Sequence, residues 1–345
     1  MFAVTEGCEM LSELVAKLVE FEDLSEEEAE QAMAAMMGGR ASDVEISAFL
    51  VALRMKGETA TEISAFARKM RELAVRISPK VEKLVDVCGT GGDAVKTFNI
   101  STTAMFVVAC EVPVAKHGNR SVTSKCGSAD VLEELGARLD LPPQKIEESI
   151  ERIGIGFMFA PNFHPAMKNV MPVRRALRIR TVFNILGPLT NPAGAKSQLM
   201  GVFSPELTEK IAKVFKLLNA DRAMVVHGEP GLDELSTLGK TKISELKNGE
   251  VRTYYVRPED LGLKPASTKD VLGGSSAENA RILRGVLNCE ESDARIEIVA
   301  LNAAAALVVG GVADRLSEGL EHAMEILESG RGAKKLEEFL EFSRF

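Results

Sequence analysis

Residues 84–102 read LVDVCGTGGDAVKTFNIST, and this stretch predicts how the rest of the chain is arranged. Its opening apolar run is typical of a short buried strand. Glycines follow immediately, and because glycine has no Cβ atom, the backbone can turn sharply there and a ligand can approach it closely. Asn99, Ser101 and Thr102, which are residue types common at helix N-termini, then precede an apolar run at residues 104–110. The stretch therefore predicts a strand, a glycine loop and the start of a helix.

This strand, loop and helix start are suited to binding a phosphate group. Backbone N–H groups and the positive end of a helix dipole converge at such a place. The pattern is neither the dinucleotide fingerprint nor the P-loop, since no Gly-Lys-Ser/Thr follows the glycines. From the glycines alone, a tight turn that binds nothing is an equal alternative.

A second polar loop follows the next predicted strand, at residues 112–115. Cations and hydroxyl groups are concentrated there, in Lys116, His117, Asn119, Arg120, Ser121, Thr123, Ser124 and Lys125. A solvated surface loop is the alternative interpretation. The position between a strand and a helix, in an otherwise acidic chain, favours a site for a polyanion, because such loops supply oriented donors. His117 by itself indicates a hydrogen-bonding or packing group rather than an acid or a base.

An acidic pair, Asp233 and Glu234, follows a later predicted strand at residues 221–227. Carboxylate oxygens suit Mg²⁺, which usually bridges carboxylates to substrate phosphates. Two surface acids are the ordinary alternative. The two loops upstream need charge compensation if they hold phosphates, and this favours a metal site.

A basic segment, VRRALRIR at residues 173–180, is predicted to be helical. Arg174 and Arg178 would share one helical face, and Arg175 would not. An arginine that points inward is a planar fork suited to a carboxylate. Exposed, solubilising arginines are the alternative for most of them, and spacing alone does not decide which one is special.

The order of the elements predicts two architectures in one chain. Residues 8–75 look wholly helical, with Ser/Thr-x-x-Glu capping boxes that begin at Ser25, Ser42 and Thr59. From about residue 81, short apolar runs alternate with helical stretches, as in an α/β domain with a central, mostly parallel sheet. Ligands in such sheets bind outside the carboxyl ends of the strands, so we expect both polar loops to face one crevice.

The methionines of the helical part leave two interpretations open. Met33, Met36 and Met37 are soft apolar groups that could form either a dimer surface or an ordinary interhelical core.

Composition excludes several classes of protein. The chain has 345 residues and a net charge of −8, which argues against a nucleic-acid-binding surface. Its five cysteines form no Cys-x-x-Cys pair, so we expect neither a zinc site nor a disulfide framework, and thiols in a reducing cytoplasm instead. No signal peptide is seen at the start, and no apolar run reaches the roughly 18 residues that a membrane span needs.

Five motifs together carry a family resemblance. GTGGD at residues 89–93 is followed by KHGNRSVTSKCGSADVLEELG at 116–136, HPA at 164–166, RTVFNILGPLTNP at 180–192 and DELS at 233–236. In this order they are similar to the anthranilate phosphoribosyltransferase family of tryptophan biosynthesis, and the resemblance covers roughly residues 10–340. It implies a transferase that moves the 5-phosphoribosyl group of phosphoribosyl pyrophosphate to the amine of anthranilate, releasing pyrophosphate.

The resemblance also implies roles for individual residues. The phosphoribosyl pyrophosphate site would comprise Gly89, Gly92, Asp93, Thr97, Asn99, Ile100, Ser101, Thr102, Lys116, His117, Gly118, Asn119, Arg120, Ser121, Val122, Thr123, Ser124 and Ser128. Anthranilate would contact Gly89, Asn119 and Arg174, and the catalytic residues would be Lys116, Asn119 and Arg174. Ser101, Asp233 and Glu234 would hold Mg²⁺, with two ions expected per subunit.

The implied architecture is that of the nucleoside phosphorylase and phosphoribosyltransferase group. We expect a helical domain at residues 1–80, joined by roughly 167–197, and an α/β domain at 81–345 that binds phosphoribosyl pyrophosphate. A homodimer through the helical domain is expected, without nucleic acid or membrane as partner. Two alternatives share this fold: a pyrimidine-nucleoside phosphorylase, and a nucleic-acid-binding relative without catalytic activity.

Overall fold

The computed structural model describes residues 2–92, 94–121 and 125–344, as a helical part and an α/β part. The N-terminal helices are α1 (Phe2–Val19), α2 (Glu26–Met37), α3 (Asp43–Lys56) and α4 (Ala60–Glu72). The next elements are β1 (Val85–Gly89), α5 (Ile100–Val108), β2 (Val114–Gly118), α6 (Ser128–Glu134), α7 (Pro143–Ile153) and β3 (Ile155–Phe159). Three short helices follow: α8 (Ala160–Phe163), α9 (Met171–Leu177) and α10 (Phe183–Leu186). The remainder comprises β4 (Ser197–Gly201), α11 (Leu207–Leu217), β5 (Arg222–Gly228), β6 (Thr241–Lys247), β7 (Glu250–Val256), α12 (Ser276–Leu287), α13 (Asp293–Val309), α14 (Leu316–Glu328) and α15 (Arg331–Ser343).

The capping boxes predicted for the helical part are all present. Ser25, Ser42 and Thr59 each accept a hydrogen bond from the backbone N–H three residues later, and the glutamate at that position accepts one in return. Each box satisfies two backbone N–H groups that a helix N-terminus otherwise leaves without a partner. The polar spacing in the sequence was therefore sufficient to place three helix starts.

The structure decides between the two interpretations of the methionines. Met33, Met36 and Met37 are at most 1% exposed and belong to the core of the helical part. The interpretation as an interhelical core is therefore correct for all three methionines. The exposed apolar side chains of this part lie elsewhere, at positions that include Val44 and Met55 of α3.

The α/β part is a seven-stranded sheet in the order β3-β2-β1-β4-β5-β6-β7. The first five strands of that order are parallel, and β6 and β7 are antiparallel additions. The predicted fold class, a helical domain with a mostly parallel sheet, is confirmed. The strand order reverses between β1 and β4: the chain adds β2 and β3 on one side of β1, and then β4 to β7 on the other side. Ligands of open parallel sheets bind at such a switch point.

The two faces of the sheet are covered by different elements. On one face, Val85 and Val87 share a core with α5 and the C-terminal helices α12 to α15. On the other face, Met200 and Val225 join the core that contains α2, α3 and α4. The helical part therefore packs against the β4–β5–β6 half of the sheet by way of α11, which contacts α4 on one side and β5 and β6 on the other. The predicted boundary at residue 80 stays a prediction, since the two parts share this core.

Two local predictions have different outcomes. The hairpin around Asn248 and Gly249 is confirmed, with φ of +54° and +76°, as a tight turn between paired strands requires. The predicted helix over residues 173–180 is wrong at its end, because α9 stops at Leu177 and Arg178 adopts a left-handed φ of +53°. Arg174 and Arg178 thus do not share a helical face.

Two chain-wide predictions concern membranes and thiols. Among the residues that the structure describes, no helix combines the length and apolar character of a membrane span. Cys88, Cys110, Cys126 and Cys289 are thiols and form no disulfide with one another.

Candidate active site

Three neighbouring strands end in glycine at the same edge of the sheet: β1 at Gly89, β4 at Gly201 and β5 at Gly228. The acidic segment, Asp233 and Glu234, lies across these ends. A Cβ atom on Gly89 would overlap the Asp233 carboxylate, and one on Gly201 would overlap the Asp233 carbonyl oxygen. On Gly228 it would stand 2.7 Å from the Glu234 carbonyl oxygen. The strand ends therefore form a groove that only glycine permits, and it brings both acids to the switch point.

Each acid is tied to one of the predicted phosphate-binding segments. Asp233 Oδ2 accepts a 2.7 Å hydrogen bond from Gly91 N–H in the glycine loop. Glu234 Oε1 accepts a 3.3 Å bond from Ser101 N–H at the start of α5. Burial raises the pKa of the Asp233 carboxyl above its ordinary value, and the Gly91 bond opposes that rise. The acidic pair is thus part of the site and not a surface feature.

Lys116 is a buried cation beside this pair. It lies on β2, is 1% exposed, and donates from Nζ to the Val87 carbonyl and to Ser101 Oγ, the latter at 3.2 Å. Within the described residues it forms no ion pair with a carboxylate. Because its charge is held by neutral oxygens, Lys116 presents a rigid positive charge at the carboxyl ends of β1 and β2.

The described ends of the second polar loop, at Ser121 and Gly127, are joined through one carboxylate. Asp130 Oδ2 accepts from Ser121 N–H at 3.0 Å and from Gly127 N–H at 2.8 Å. Arg120 is exposed and pairs with Glu133 and Asp130, so its cation is already compensated. The predicted residues Asp93, Val122, Thr123 and Ser124 lie outside the described residues.

The starts of α5 and α6 are joined by hydrogen bonds between predicted site residues. Thr102 Oγ1 donates to Ser128 Oγ at 2.9 Å, and Asn99 Nδ2 donates to the Cys126 carbonyl at 3.3 Å. Asn99 precedes α5, as predicted, but its side chain makes no capping bond to the helix backbone. Its Oδ1 instead accepts from Asn279 of α12 at 2.9 Å, a residue that sequence reasoning missed.

A buried histidine pair lies on the opposite face of the sheet from Lys116. The rings of His117 and His164 are 5.0 Å apart, and His117 Nδ1 donates to the Gly187 carbonyl at 3.1 Å. Burial, with the neighbouring His164, lowers the pKa of His117 to about 3, and burial lowers that of His164 to about 4. Both rings are therefore neutral near pH 7, and His117 carries its proton on Nδ1.

Below His117 lies a polar network that the sequence did not reveal. Asp86 Oδ2 accepts a hydrogen bond from Asn191 Nδ2 at 2.8 Å. Asp86 Oδ1 accepts one from the backbone N–H of His117 at 3.3 Å. Desolvation raises the pKa of Asp86 to about 6, against the opposing effect of these bonds. Since Asn191 also donates to the Ala115 carbonyl at 2.8 Å, the network joins β1, β2 and the 187–192 segment.

Arg174 is a half-buried cation on α9. Its guanidinium lies 5.4 Å from the Phe183 ring centroid, and Nη1 contacts Met171 Sδ at 3.8 Å. Burial lowers the pKa of this guanidinium below its ordinary value, yet arginine stays charged at neutral pH. No carboxylate of the described chain forms a salt bridge with it, and no hydrogen bond joins it to Gly89 or Asn119.

A further arginine contacts the glycine loop itself. Arg180 Nη2 donates to the Gly92 carbonyl at 2.6 Å, and its guanidinium stacks 4.1 Å from the Phe203 ring centroid. Sequence reasoning assigned Arg180 no role. Its only signal was its position at the start of the RTVFNILGPLTNP motif.

The donor set at the switch point has the chemistry that Mg²⁺ requires. Asp233, Glu234 and Ser101 offer two carboxylates and a hydroxyl, all hard oxygen ligands. A group of three or more His, Cys, Asp and Glu side chains suited to a metal does not occur among the described residues. The set therefore fits a metal that is completed by substrate phosphates, and not a closed all-protein site.

Comparisons with known proteins agree with this architecture. The "Glycosyl transferase family, helical bundle domain" matches residues 12–74, and the "Glycosyl transferase family, a/b domain" matches residues 81–333. An anthranilate phosphoribosyltransferase of Acetivibrio thermocellus is 51% identical over 335 residues, covering 97% of each chain.

Two solved structures are similar over nearly their whole length. Anthranilate phosphoribosyltransferase from Thermus thermophilus is 46% identical with a TM-score of 0.91, covering 96% of this chain and 99% of that one. The enzyme from Saccharomyces cerevisiae in complex with phosphoribosyl pyrophosphate and Mg is 27% identical with a TM-score of 0.87, covering 97% and 98%.

Proposed function

The chain belongs to the anthranilate phosphoribosyltransferase family, and from that membership we propose how its own residues carry out the reaction. The protein is an enzyme of tryptophan biosynthesis that transfers the 5-phosphoribosyl group of phosphoribosyl pyrophosphate to the amine of anthranilate. The products are N-(5-phosphoribosyl)anthranilate and pyrophosphate. The observation that carries this conclusion is the meeting of the acidic segment, Lys116 and the start of α5 at the switch point of the sheet.

Phosphoribosyl pyrophosphate binds, in this proposal, across the glycine loop and the second polar loop. The residues are those that the family motifs single out between Gly89 and Ser128. Support comes from the bonds that join Thr102 to Ser128 and Asn99 to Cys126, since they hold both loops at one edge of the sheet. The backbone N–H groups at the start of α5 suit a phosphate, because a helix N-terminus favours negative charge.

Mg²⁺ is the cofactor, and Ser101, Asp233 and Glu234 are the residues that would hold it, with two ions per subunit. When bound, it supplies positive charge that offsets the negative charge developing on pyrophosphate. The Asp233 carboxyl is costly to ionise where it is buried, which favours a cation beside it. Ser101 belongs to the same cluster through Lys116 and Glu234.

Lys116 contributes fixed electrostatic stabilisation. Its ammonium is anchored by the Val87 carbonyl and Ser101 Oγ, so it need not reorganise as charge develops on the leaving group. As the bond between C1 of the ribose and the pyrophosphate oxygen breaks and C1 gains oxocarbenium character, the anthranilate nitrogen forms its bond to C1 from the opposite face. The amine then loses a proton to pyrophosphate or to water. Catalysis then depends on placement and electrostatics and needs no covalent intermediate.

Anthranilate is held by Arg174, Asn119 and Gly89. Arg174 supports this assignment because it is a half-buried guanidinium without a carboxylate partner in the described chain. A planar carboxylate matches the fork of a guanidinium in a bidentate pair. The substrate carboxylate would therefore complete an ion pair that the protein leaves open.

No side chain is needed as a general base. An aromatic amine is largely unprotonated at neutral pH, so its nitrogen lone pair is available. His117 and His164, with pKa values of about 3 and 4, are too weakly basic to take a proton near pH 7. Their low basicity agrees with a mechanism that relies on orientation.

A homodimer through the helical part is also proposed, with cytoplasmic location. Val44 and Met55 of α3 are 77% and 71% exposed, and Ala48 and Val51 lie between them at helical spacing. This apolar stripe, defined by these four residues, is the surface that a second copy would cover. Thiols rather than disulfides suit a reducing compartment.

The direct test is to mix the protein with anthranilate, phosphoribosyl pyrophosphate and Mg²⁺ and to follow the decrease of anthranilate fluorescence. Consumption that requires all three components is expected. The same protein incubated with thymidine and inorganic phosphate, without Mg²⁺, tests the nucleoside phosphorylase alternative. Turnover in that second mixture and none in the first would refute the assignment.

A further inference from the structure

The acidic segment is anchored on its far side by a residue that none of the motifs contains. Asn302 lies on α13, is fully buried, and holds the backbone of Leu235, the residue that follows Glu234. Its Oδ1 accepts from Leu235 N–H at 2.9 Å, and its Nδ2 donates to the Leu235 carbonyl at 3.0 Å. A second Nδ2 bond, to the Ile298 carbonyl at 2.8 Å, fixes the amide on its own helix.

This arrangement uses three of the four hydrogen bonds that an asparagine amide can form: both N–H donors and one acceptor site of Oδ1. Leu235 lies in an irregular loop, is 1% exposed, and has no strand partner for its N–H and carbonyl. Buried backbone groups of this kind must find partners elsewhere. Only a side-chain amide offers a donor and an acceptor together at the right spacing, and an aspartate or leucine at position 302 would not.

The acidic segment is thereby fixed at both ends. On one side, Asp233 packs closely against Gly89 and Gly201 in the glycine groove, so it cannot move further toward the strand ends. On the other side, Asn302 fixes Leu235. Glu234 lies between these two points, with its carboxylate directed to Ser101 N–H. The direction of both carboxylates is therefore set by the residues that flank them.

We infer that Asn302 is a positioning residue, which acts through the Leu235 backbone to hold Asp233 and Glu234 in the geometry that binds the divalent cation. The inference rests on the proposed function, in which those two acids hold Mg²⁺. The Asn302 amide bonds to the backbones of Leu235 and Ile298, and its influence on the two acids passes through the Leu235 backbone. Its effect is on the apparent affinity for Mg²⁺, since outer partners of ligating carboxylates control their orientation.

The test uses Asn302→Ala and Asn302→Asp in the full-length protein. Both are expected to raise the Mg²⁺ concentration at half-maximal activity by roughly 10- to 100-fold, the usual cost of losing such a partner. The KM for anthranilate should change less than about twofold. Asn302→Asp keeps the acceptor for Leu235 N–H but sets a carboxylate oxygen against the Leu235 and Ile298 carbonyls, so its effect should be at least as large as that of Asn302→Ala. An unchanged Mg²⁺ requirement in both variants would overturn the inference.

A matched control separates positioning from general stability. Ser149 is also buried, and its Oγ donates to the Ile155 carbonyl at 2.6 Å, away from the acidic segment. Ser149→Ala should lower Tm and leave the Mg²⁺ requirement unchanged. Combining Asn302→Ala with Glu234→Gln should give less than the product of the two single effects, because both act on the same ligand. Fully multiplicative effects would contradict the inference.

Two binding measurements distinguish this inference from the proposed function. In the parent protein, the Leu235 amide should exchange with solvent hydrogen as slowly as core amides, and rapid exchange would refute the anchoring by Asn302 without any variant. Calorimetric titration of phosphoribosyl pyrophosphate into the Mg²⁺-loaded parent should release or absorb heat. Absence of heat would refute the proposed function itself, whereas heat in the parent with equal affinity in Asn302→Asp would refute only the positioning role.

Discussion

At the scale of single residues, the site depends on charges that the protein leaves incompletely compensated. Lys116 is surrounded by neutral oxygens, Arg174 has no carboxylate partner in the described chain, and the pKa of Asp233 is raised by burial. Each of these arrangements is unfavourable for folding alone, since buried charges are costly when unpaired. Together they describe a site that an anionic substrate and a cation would complete.

Arg174→Ala should raise the KM for anthranilate about 10- to 100-fold, because a charge-assisted hydrogen bond contributes on the order of 1.5–3 kcal/mol. The KM for phosphoribosyl pyrophosphate should stay close to that of the parent. Steady-state kinetics by fluorescence measure both constants. Arg175→Ala is the matched control, because Arg175 is the exposed neighbour on the same helix. Equal effects of the two variants would show that the anthranilate carboxylate lies elsewhere.

The buried histidines predict a pH dependence of stability. His164 has a pKa of about 4 when folded, below its ordinary value near 6.5, so the unfolded chain binds more protons between these values. Stability from the neutral ring is present above pH 6.5 and is lost as the pH falls toward 4, by about 1.4 kcal/mol per pH unit. Asp86, whose pKa is raised to about 6, binds its proton more tightly in the folded state. In part of this window it therefore adds to the free energy of unfolding as the pH falls.

The Tm of His164→Leu should therefore fall less than the Tm of the parent between pH 7 and pH 4.5. Thermal unfolding followed by circular dichroism at several pH values measures the difference. His322→Leu is the control, because that histidine lies on α14, far in sequence from the pair. Parallel Tm curves for the parent and His164→Leu would disprove the role of the buried ring.

At the scale of elements, the sequence predicted those parts whose signal is local. The capping boxes, the Asn248-Gly249 hairpin and the order strand, glycine loop, helix are each encoded within a few adjacent residues. Contacts between distant segments were not predictable in this way. Gly201, Asn191 and Asn302 contact residues that are distant in the sequence. A single glycine or asparagine in a sequence does not indicate which residue it will contact.

The second polar loop provides a test at this scale. Asp130→Ala removes the acceptor that Ser121 N–H and Gly127 N–H share, so the two described ends of the loop lose the bonds that hold them together. The KM for phosphoribosyl pyrophosphate should rise about tenfold, since ordering the loop would then oppose binding. Initial rates at varied substrate concentration measure it. Asp140→Ala is the control, because Asp140 is an exposed acid that pairs with Arg138, and its KM should match that of the parent. Equal KM values for the two variants would show that the loop does not contribute to binding.

At the scale of the whole molecule, the fold class followed from the change of pattern near residue 81, but the packing of the two parts did not. Met200 and Val225 alternate along their strands with Leu199 and Met224, and the two sets serve different cores. Such fully buried strands appear in sequence as continuous apolar runs and do not reveal what covers each face. The packing of the helical part against one half of the sheet could therefore not be predicted from periodicity alone.

The apolar stripe of α3 predicts the oligomeric state. Met55→Glu places a charge in the proposed interface and should convert a dimer into a monomer of about 37.3 kDa, as measured by analytical ultracentrifugation. Leu217→Glu, at a 40% exposed position on α11, is the control and should stay dimeric. A parent that sediments as a monomer would refute the interface.

The three glycines at the strand ends have a consequence for how this gene tolerates change. Every amino acid that a glycine codon can reach by one base substitution carries a β-carbon, and at Gly89, Gly201 and Gly228 that carbon would strike the acidic segment. In a saturation library selected for tryptophan prototrophy, Gly201 and Gly228 should therefore rank among the least tolerant codons, although the family motifs assign neither a contact with a substrate. Any replacement at these positions would displace the acidic segment from the strand ends, so we expect it to abolish the Mg²⁺-dependent transfer even where the protein still folds.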